Sequence, residues 1–156
     1  MADPAFGIGF DVHSFDAGRP LWLGGVAFDG EPGLAGHSDG DVVCHAIADA
    51  LLGAVALGDV GEHFPDTDPA TEGMTGADLL GRTLRILAEH GRAMVSVDVT
   101  VLCERPVVAP RRLEIRTQLA RIAAVPVERV SVKATRPEGL GLSGDGVGCF
   151  ALAVVA

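Results

Sequence analysis

Residues 38–57 read SDGDVVCHAIADALLGAVAL, a stretch that predicts the first long helix of the chain. Its apolar residues recur at helical spacing, so they form one stripe on one face of the helix. The stripe consists of Val43, Ile47, Ala50, Leu51 and Ala54. Ser38 is followed three residues later by Asp41, a spacing that resembles a capping box. We therefore expect a helix that begins at Ser38 and packs this face against a core.

Predicted strands lie on both sides of this helix in the sequence. Residues 6–11 read as a first strand, and residues 21–28 as a short hairpin interrupted by Gly24-Gly25. Residues 95–101 alternate valine with polar residues, which is typical of a half-buried strand. Further along we expect a polar loop at 58–69, helices at about 77–90 and after Pro110, and strands at 127–135 and 148–155. Strands interleaved with helices predict a single domain, residues 1–156, with a two-layer α/β fold and helices on one face of a mixed sheet.

Composition and charge argue against several classes of protein. Apolar residues make up 48% of the chain, and no stretch approaches the ~20 apolar residues of a membrane helix, so we expect no membrane partner. The net charge of −9 disfavours nucleic acid, which is bound mainly through basic residues. The same charge would repel a phosphorylated substrate unless bound cations neutralise it locally. Three well-separated cysteines and the absence of a visible signal peptide indicate a cytoplasmic protein.

A candidate metal site comes from three residues. Asp11 and His13 are two positions apart in a predicted strand, so their side chains project to the same side. His45 lies in the predicted helix. One carboxylate and two imidazoles can form a catalytic zinc shell whose fourth position is open to substrate. In the alternative reading, each histidine is a surface or core residue with a local hydrogen bond.

Two further segments are candidates for binding phosphate. His37 and Ser38 stand at the predicted helix start, where free amides and the helix dipole attract anions. Ser38 can equally be a plain N-cap. Residues 133–138 end a strand with two cations, a hydroxyl and a carboxylate, which can hold phosphates and a hard cation. They can equally be an ordinary charged strand end.

Together these segments resemble the 2-C-methyl-D-erythritol 2,4-cyclodiphosphate synthase family along nearly the whole chain. The resemblance is carried by GFDVH at 9–13, GHSDGD at 36–41, HA at 45–46, DALLGA at 49–54, LGDVG at 57–61, FPDTDP at 64–69, VKAT at 132–135 and GLG at 139–141. Each motif alone is weak, but their order and spacing are highly specific. The resemblance implies a chorismate-mutase-like homotrimer whose active sites are shared between neighbouring subunits.

The resemblance also implies the cofactors and the reaction. Zinc would be held by Asp11, His13 and His45, which would also contact substrate, and Mg²⁺ or Mn²⁺ by Glu138 together with the substrate's diphosphate. The substrate would be a cytidine diphosphate derivative of methylerythritol 2-phosphate. Its 2-phosphate would attack the β-phosphorus of the cytidine diphosphate arm, and CMP would leave.

The remaining positions of the family's site are implied in the same way. His37 and Ser38 would contact substrate phosphate, Asp59 and Gly61 the erythritol hydroxyls, and a mobile flap would run from Phe64 through Asp66 to Asp68. The segment from Cys103 to Pro106 would bind cytosine largely through backbone groups. Thr135, Arg136, Glu138, Leu142 and Asp145 would complete the substrate contacts, and the catalytic residues would be His37, Arg136 and Glu138.

The sequence departs from the family pattern near its C-terminal end. Arg136 stands where the family usually carries a threonine that polarises a phosphate, and Leu142 stands where an aromatic residue is common. Asp145 replaces an arginine and Val147 a glutamate of the family's TGRGEG motif. We expect Arg136 to orient phosphate through its charged donors. We expect Asp145 to prevent appreciable binding of an isoprenoid diphosphate at the threefold axis.

Two other functions remain open from the sequence. A metal-dependent phosphohydrolase would use the same zinc shell to activate water. A non-catalytic trimeric protein would bind a nucleotide or an isoprenoid without turnover.

Overall fold

The computed structural model describes residues 3–141 and 145–156, and a five-stranded sheet is its central element. The strands are β1 (Ala5–Asp16), β2 (Leu21–Leu23), β3 (Val26–Phe28), β4 (Gly33–Leu34), β5 (Met94–Leu102), β6 (Val130–Thr135) and β7 (Gly146–Val155). The order in the sheet is β4-β1-β7-β5-β6, and β2 and β3 form a separate hairpin. β5 and β6 run parallel, while the other neighbours are antiparallel, so the sheet is mixed as predicted.

The helices cover one face of this sheet, which confirms the predicted two-layer α/β fold. They are α1 (Val42–Ala54), α2 (Val60–His63), α3 (Gly76–Glu89) and α4 (Arg112–Ala123), with short 3₁₀ helices at Pro69–Thr71, Ala109–Arg111 and Val127–Arg129. α1 packs on β1 and β7, α3 packs on α1, and α4 packs on β6. Within the part of the chain that the structure describes, no helix is long and apolar enough to cross a bilayer.

The predicted elements are present, but several of their boundaries differ. β1 extends five residues beyond the predicted strand end at residue 11. The polar loop predicted at 58–69 contains α2, because Asp59 accepts a hydrogen bond from the amide of Glu62 and caps a single helical turn. The strand predicted from residue 127 begins at Val130, after a 3₁₀ turn.

The first helix begins at Val42, not at Ser38, because Asp41 is itself the N-cap. This fully buried carboxylate accepts four backbone hydrogen bonds: from Val43 and Cys44 at the helix start, both at 3.1 Å, and from Gly24 and Gly25, at 2.8 and 2.7 Å. The prediction of a capping box formed by Ser38 and Asp41 is therefore wrong. Asp41 instead attaches the β2–β3 hairpin to the start of α1.

Two glycines let α1 lie directly on β1. A Cβ atom at Gly7 would lie 1.9 Å from the carbonyl oxygen of Ala50, and a Cβ atom at Gly9 would lie 2.0 Å from that of Ala46. These positions alternate along β1 with residues on the opposite face, so both glycines face the helix. The backbone of α1 thereby approaches the strand more closely than any side chain would allow.

The opposite face of the sheet is not covered by helices and is apolar. It exposes Phe6, Ile8, Phe10 and Val12 on β1, and Phe150 and Leu152 on β7. Ile8 is 80% exposed and Phe6 is 65% exposed, although both pair with residues of β7. A contiguous apolar patch of this kind typically marks an interaction surface.

Gly9→Ala is expected to destabilise the protein. The new methyl group would collide with the backbone of α1, so the helix must shift, and overpacking of this kind costs about 1–3 kcal/mol. Gly81→Ala is the control, since nothing lies within 4 Å of a Cβ atom there and the site is inside α3. That change should stabilise by about 0.5–1 kcal/mol. Denaturant unfolding at one protein concentration measures both, and equal stability of the two variants would contradict the proposed contact.

Candidate metal centre and cleft

Asp11, His13 and His45 converge on one point of the structure. Oδ2 of Asp11 lies 3.1 Å from Nε2 of His13 and 3.0 Å from Nδ1 of His45. One ligand atom from each of the three residues lies within 4.8 Å of the other two. The three side chains are 12–25% exposed, so the group is accessible from one side. This arrangement of one carboxylate and two imidazoles can hold a divalent metal ion.

The contact between α1 and β1 brings these residues together. Asp11 and His13 follow Gly7 and Gly9 on the same face of β1, which is the face turned toward α1. His45 lies in the first turn of α1, one residue before Ala46, whose carbonyl oxygen contacts Gly9. The predicted same-side projection of Asp11 and His13 is confirmed, and the helix supplies the third ligand.

The contacts among the three side chains shift the pKa values of Asp11 and His13. Burial by itself raises the pKa of Asp11, but the hydrogen bonds and charges of His13 and His45 outweigh it and lower the pKa to about 2. The hydrogen bond with Asp11 raises the pKa of His13 above its usual value, although burial opposes this. Asp11 is therefore an anion at neutral pH and available to a cation.

A cleft of about 460 Å³ lies next to the three residues. It is lined by eight of the residues that the sequence singles out, namely Asp11, His13, His37, Ser38, His45, Gly61, Phe64 and Asp66. Ser38 contributes its hydroxyl, whose oxygen lies 3.2 Å from Nε2 of His45. His37 and Ser38 are not at a helix start, since the first amides of α1 bind Asp41. The prediction that free helix amides form an anion site at His37 and Ser38 is thus wrong.

Asp59 and Asp68 do not line this cleft. Oδ1 of Asp59 accepts the amide of Glu62, and Oδ1 of Asp68 accepts the amide of Ala70, each at 2.9 Å. Each aspartate thus caps a short helical turn. They position the Gly61 and Phe64–Asp66 parts of the cleft wall through the backbone.

A second group of predicted residues gathers at the ends of β5 and β6. The amide of Cys103 donates to the carbonyl oxygen of Thr135 at 3.2 Å, and the Cys103 thiol contacts the Pro106 carbonyl oxygen at 3.6 Å. The amide of Gly139 donates to the Glu104 carboxylate at 3.2 Å, which ties the segment of Arg136 and Glu138 to Cys103–Pro106. Burial raises the pKa of the Cys103 thiol to about 11, so it stays neutral.

This second group is separated from the metal centre within one chain. Val12, Gly148, Leu102 and Thr135 are successive partners across β1, β7, β5 and β6. Three strand spacings put the two groups roughly 14 Å apart. None of Cys103, Pro106, Thr135, Arg136 and Glu138 lines the cleft.

Two other predicted positions, Leu142 and Asp145, precede β7 in the sequence. Leu142 is outside the described residues. Asp145 is exposed, and its carbonyl oxygen accepts a hydrogen bond from the amide of Phe15 at 2.8 Å.

One acidic residue of the cleft was not predicted as a site residue. Asp49 lies one helical turn after His45 on α1, lines the cleft, and accepts the amide of Val60 at 2.9 Å. It thereby fixes the start of α2, which carries Gly61. Its spacing of four residues from His45 is the sequence signal that could have identified it.

Comparison with known proteins identifies one protein family. The YgbB family profile matches residues 5–156. A 2-C-methyl-D-erythritol 2,4-cyclodiphosphate synthase of Trichlorobacter lovleyi is 49% identical, over 96% of this chain and 95% of that protein. A bifunctional enzyme IspD/IspF of Caulobacter vibrioides is 47% identical over 96% of this chain, but the chain spans only 39% of that protein's length. A solved cyclodiphosphate synthase in its CDP-bound form superimposes with a TM-score of 0.89 at 34% identity, covering 97% of this chain and 99% of that one.

His45→Ala is expected to weaken metal binding by more than about 100-fold. Mutating a residue that only hydrogen-bonds to a metal ligand already lowers metal affinity by about 10- to 100-fold, and loss of a ligand itself should cost more. The fold should persist, since the ring lies at the cleft surface. His90→Ala is the control, because His90 is exposed at the end of α3. Elemental analysis after dialysis measures the bound metal. Full occupancy in the His45 variant would contradict the assignment.

Proposed function

This chain belongs to the YgbB family, the family of 2-C-methyl-D-erythritol 2,4-cyclodiphosphate synthases. On that premise we propose that it catalyses the cyclisation for which these synthases are named. It is a phosphorus–oxygen lyase of non-mevalonate isoprenoid biosynthesis. It converts 4-diphosphocytidyl-2-C-methyl-D-erythritol 2-phosphate to the 2,4-cyclodiphosphate and CMP. The observation that carries the proposal is the Asp11, His13 and His45 group at the edge of a cleft, in a chain that matches one such synthase over 95% of its length.

The three-residue group fits Zn²⁺. A tetrahedral zinc ion bonded at about 2.0–2.1 Å keeps its ligand atoms about 3.4 Å apart, close to the 3.0 and 3.1 Å between Asp11 and the two imidazoles. Zinc-bound histidines usually make a second hydrogen bond through the other ring nitrogen. Ser38 provides such a partner for His45, and the backbone of Ala35 provides one for His13. The ion would neutralise a phosphate of the substrate.

The cleft would hold the phosphate and sugar-alcohol parts of the substrate. His37 and Ser38 lie beside the metal centre and would bind the phosphate near it. Gly61 would offer its backbone to the erythritol hydroxyls, with Asp59 holding the turn that carries it. The segment from Phe64 to Asp68 would close over the bound substrate.

The second group would hold the cytidine end. The backbone of Cys103 to Pro106 would bind cytosine, because the cysteine thiol is neutral and engaged with Pro106. Glu138 would hold Mg²⁺ or Mn²⁺ with the diphosphate, since such ions take carboxylate and phosphate oxygens. Arg136 and Thr135 are exposed beside it, and the guanidinium can bind two phosphate oxygens at once.

The two groups would meet between subunits of a homotrimer. They lie roughly 14 Å apart within one chain, three strand spacings across the sheet. The apolar face of β1 and β7 is exposed in a single chain, and packing against neighbouring chains would bury it. The same packing would bring Glu138 of one chain to the cleft of the next.

The reaction needs positioning more than acid–base chemistry. An oxygen of the 2-phosphate forms a bond to the β-phosphorus, and the bond from that phosphorus to the CMP oxygen breaks. The nucleophile is already an anion and CMP leaves as an anion, so no proton has to move. The barrier is the approach of two negative groups, which cations and oriented donors lower. His37 and Arg136 would supply those donors.

The test is incubation of the protein with the cytidine substrate, Zn²⁺ and Mg²⁺ in ¹⁸O-labelled water. Cyclisation predicts CMP and a product without ¹⁸O. A phosphohydrolase predicts one ¹⁸O in a linear product, and a non-catalytic binding protein predicts no CMP. Either of the last two outcomes would refute the proposed function.

A chain-mixing experiment tests the shared site. His45→Ala and Glu138→Ala chains should each be inactive, and mixed trimers should regain part of the activity because some interfaces then combine two intact halves. Light scattering should report a trimer of the 16.0 kDa chain. A monomer at micromolar concentration, or no recovery after subunit exchange is verified, would contradict the proposal.

Two other expectations belong to the proposal. Asp145 would repel an isoprenoid diphosphate from the trimer axis, because three carboxylates would face one anion. A cytoplasmic location stays a prediction.

A further inference from the structure

Arg19 contacts the backbone on both sides of His37. It lies between β1 and β2, and its guanidinium donates one hydrogen bond to the carbonyl oxygen of Gly36 at 2.5 Å and another to the carbonyl oxygen of Ser38. His37 is thus the single residue between two carbonyl groups held by the same side chain. The contact spans 17 to 19 positions in the sequence.

Both residues that Arg19 holds lie beside the metal centre. Gly36 packs on the ring of His13, since a Cβ atom there would lie 3.4 Å from Cε1 of that ring. The hydroxyl oxygen of Ser38 lies 3.2 Å from Nε2 of His45. Displacement of this loop would therefore move both His37 and Ser38, and Ser38 is the hydrogen-bond partner of His45.

The backbone of Arg19 is itself held in place. Its amide donates to the carbonyl oxygen of Asp16 at 3.2 Å, and its carbonyl oxygen accepts the amide of Gly33 at 2.8 Å. A Cβ atom at Gly33 would lie 2.4 Å from that same oxygen, so the two segments are in direct contact. The guanidinium thus projects from a fixed point toward the 36–38 loop.

Arginine is the residue type that this arrangement requires. Its planar guanidinium offers five N–H donors and can reach two carbonyl oxygens at once, whereas a lysine ammonium is a compact point charge. Hydrogen bonds from a charged donor are also roughly twice as strong as neutral ones.

We propose that Arg19 is a positioning residue that holds the Gly36–Ser38 loop over the metal centre and thereby sets the turnover rate. Its side chain binds backbone carbonyls, so it acts through His37 and Ser38. The rate part of this inference rests on the proposed function, in which those two residues bind phosphate. The loop part does not, because it concerns the protein without substrate.

The test compares Arg19→Lys and Arg19→Ala with Arg85→Lys, a change of an exposed arginine on α3. Amide hydrogen exchange of the peptide covering residues 36–41 is measured on the protein without substrate, together with metal content, kcat and KM. We expect both Arg19 variants to exchange at least about 10-fold faster in this peptide. We expect kcat to fall about 100-fold, the effect of a displacement of about 1 Å at a reacting centre. With Zn²⁺ added in excess, metal content should stay unchanged, and methylguanidinium should restore part of the activity of Arg19→Ala.

Each result decides the inference. Faster exchange with reduced kcat, intact metal content and rescue by methylguanidinium supports it. Unchanged exchange in Arg19→Ala overturns the loop contact, whether or not the wild type turns over. Faster exchange with wild-type kcat overturns the role in turnover. Loss of metal even with Zn²⁺ in excess, together with a loss of kcat, overturns positioning through the loop, because the metal centre itself would then have failed. An inactive wild type refutes the proposed function and the rate part, while the exchange measurement still decides the loop part.

Discussion

The contact of α1 with β1 through Gly7 and Gly9 is the constraint on which the rest of the structure depends. With no Cβ atom on the strand, the helix backbone approaches within direct contact of it, at the carbonyl oxygens of Ala46 and Ala50. Metal ligands must lie within a few ångströms of one another, and a helix one side chain farther away would leave His45 out of reach. The metal centre is therefore a consequence of how closely two elements pack.

Buried and half-buried carboxylates connect the loops to this pair of elements. Asp41 is completely buried and accepts four backbone N–H groups, which joins the β2–β3 hairpin to the helix start. Asp49 connects the helix to α2, and Asp39 accepts the amide of Gly76 at the start of α3. A charge in the interior is tolerated where several oriented donors surround it. Some of the acidic residues behind the net charge of −9 therefore have a structural role.

The open sheet face and the divided site have one common explanation. A single chain leaves apolar side chains of β1 and β7 exposed, and it carries its metal centre and its second group about three strands apart. In the proposed trimer, the packing that covers the open sheet face would also bring the second group of one chain to the cleft of the next. Assembly and catalysis would then depend on the same packing of chains, because the interface would align the two halves of the site.

Local patterns in the amino-acid chain were enough to predict the α/β class, the main helices and strands, and the shared side of Asp11 and His13, because backbone periodicity determines which side chains share a face. The family resemblance was needed to join His45 to these two residues. Motif order was enough to identify the family. The tertiary structure alone revealed that Asp41 holds the β2–β3 hairpin, that Asp49 and Arg19 support the cleft, and that the second group lies apart from it. These contacts join residues 11 to 19 positions apart, or strands that pair only after folding. No local pattern encodes such distances, because they depend on how closely the helices and loops pack on the sheet.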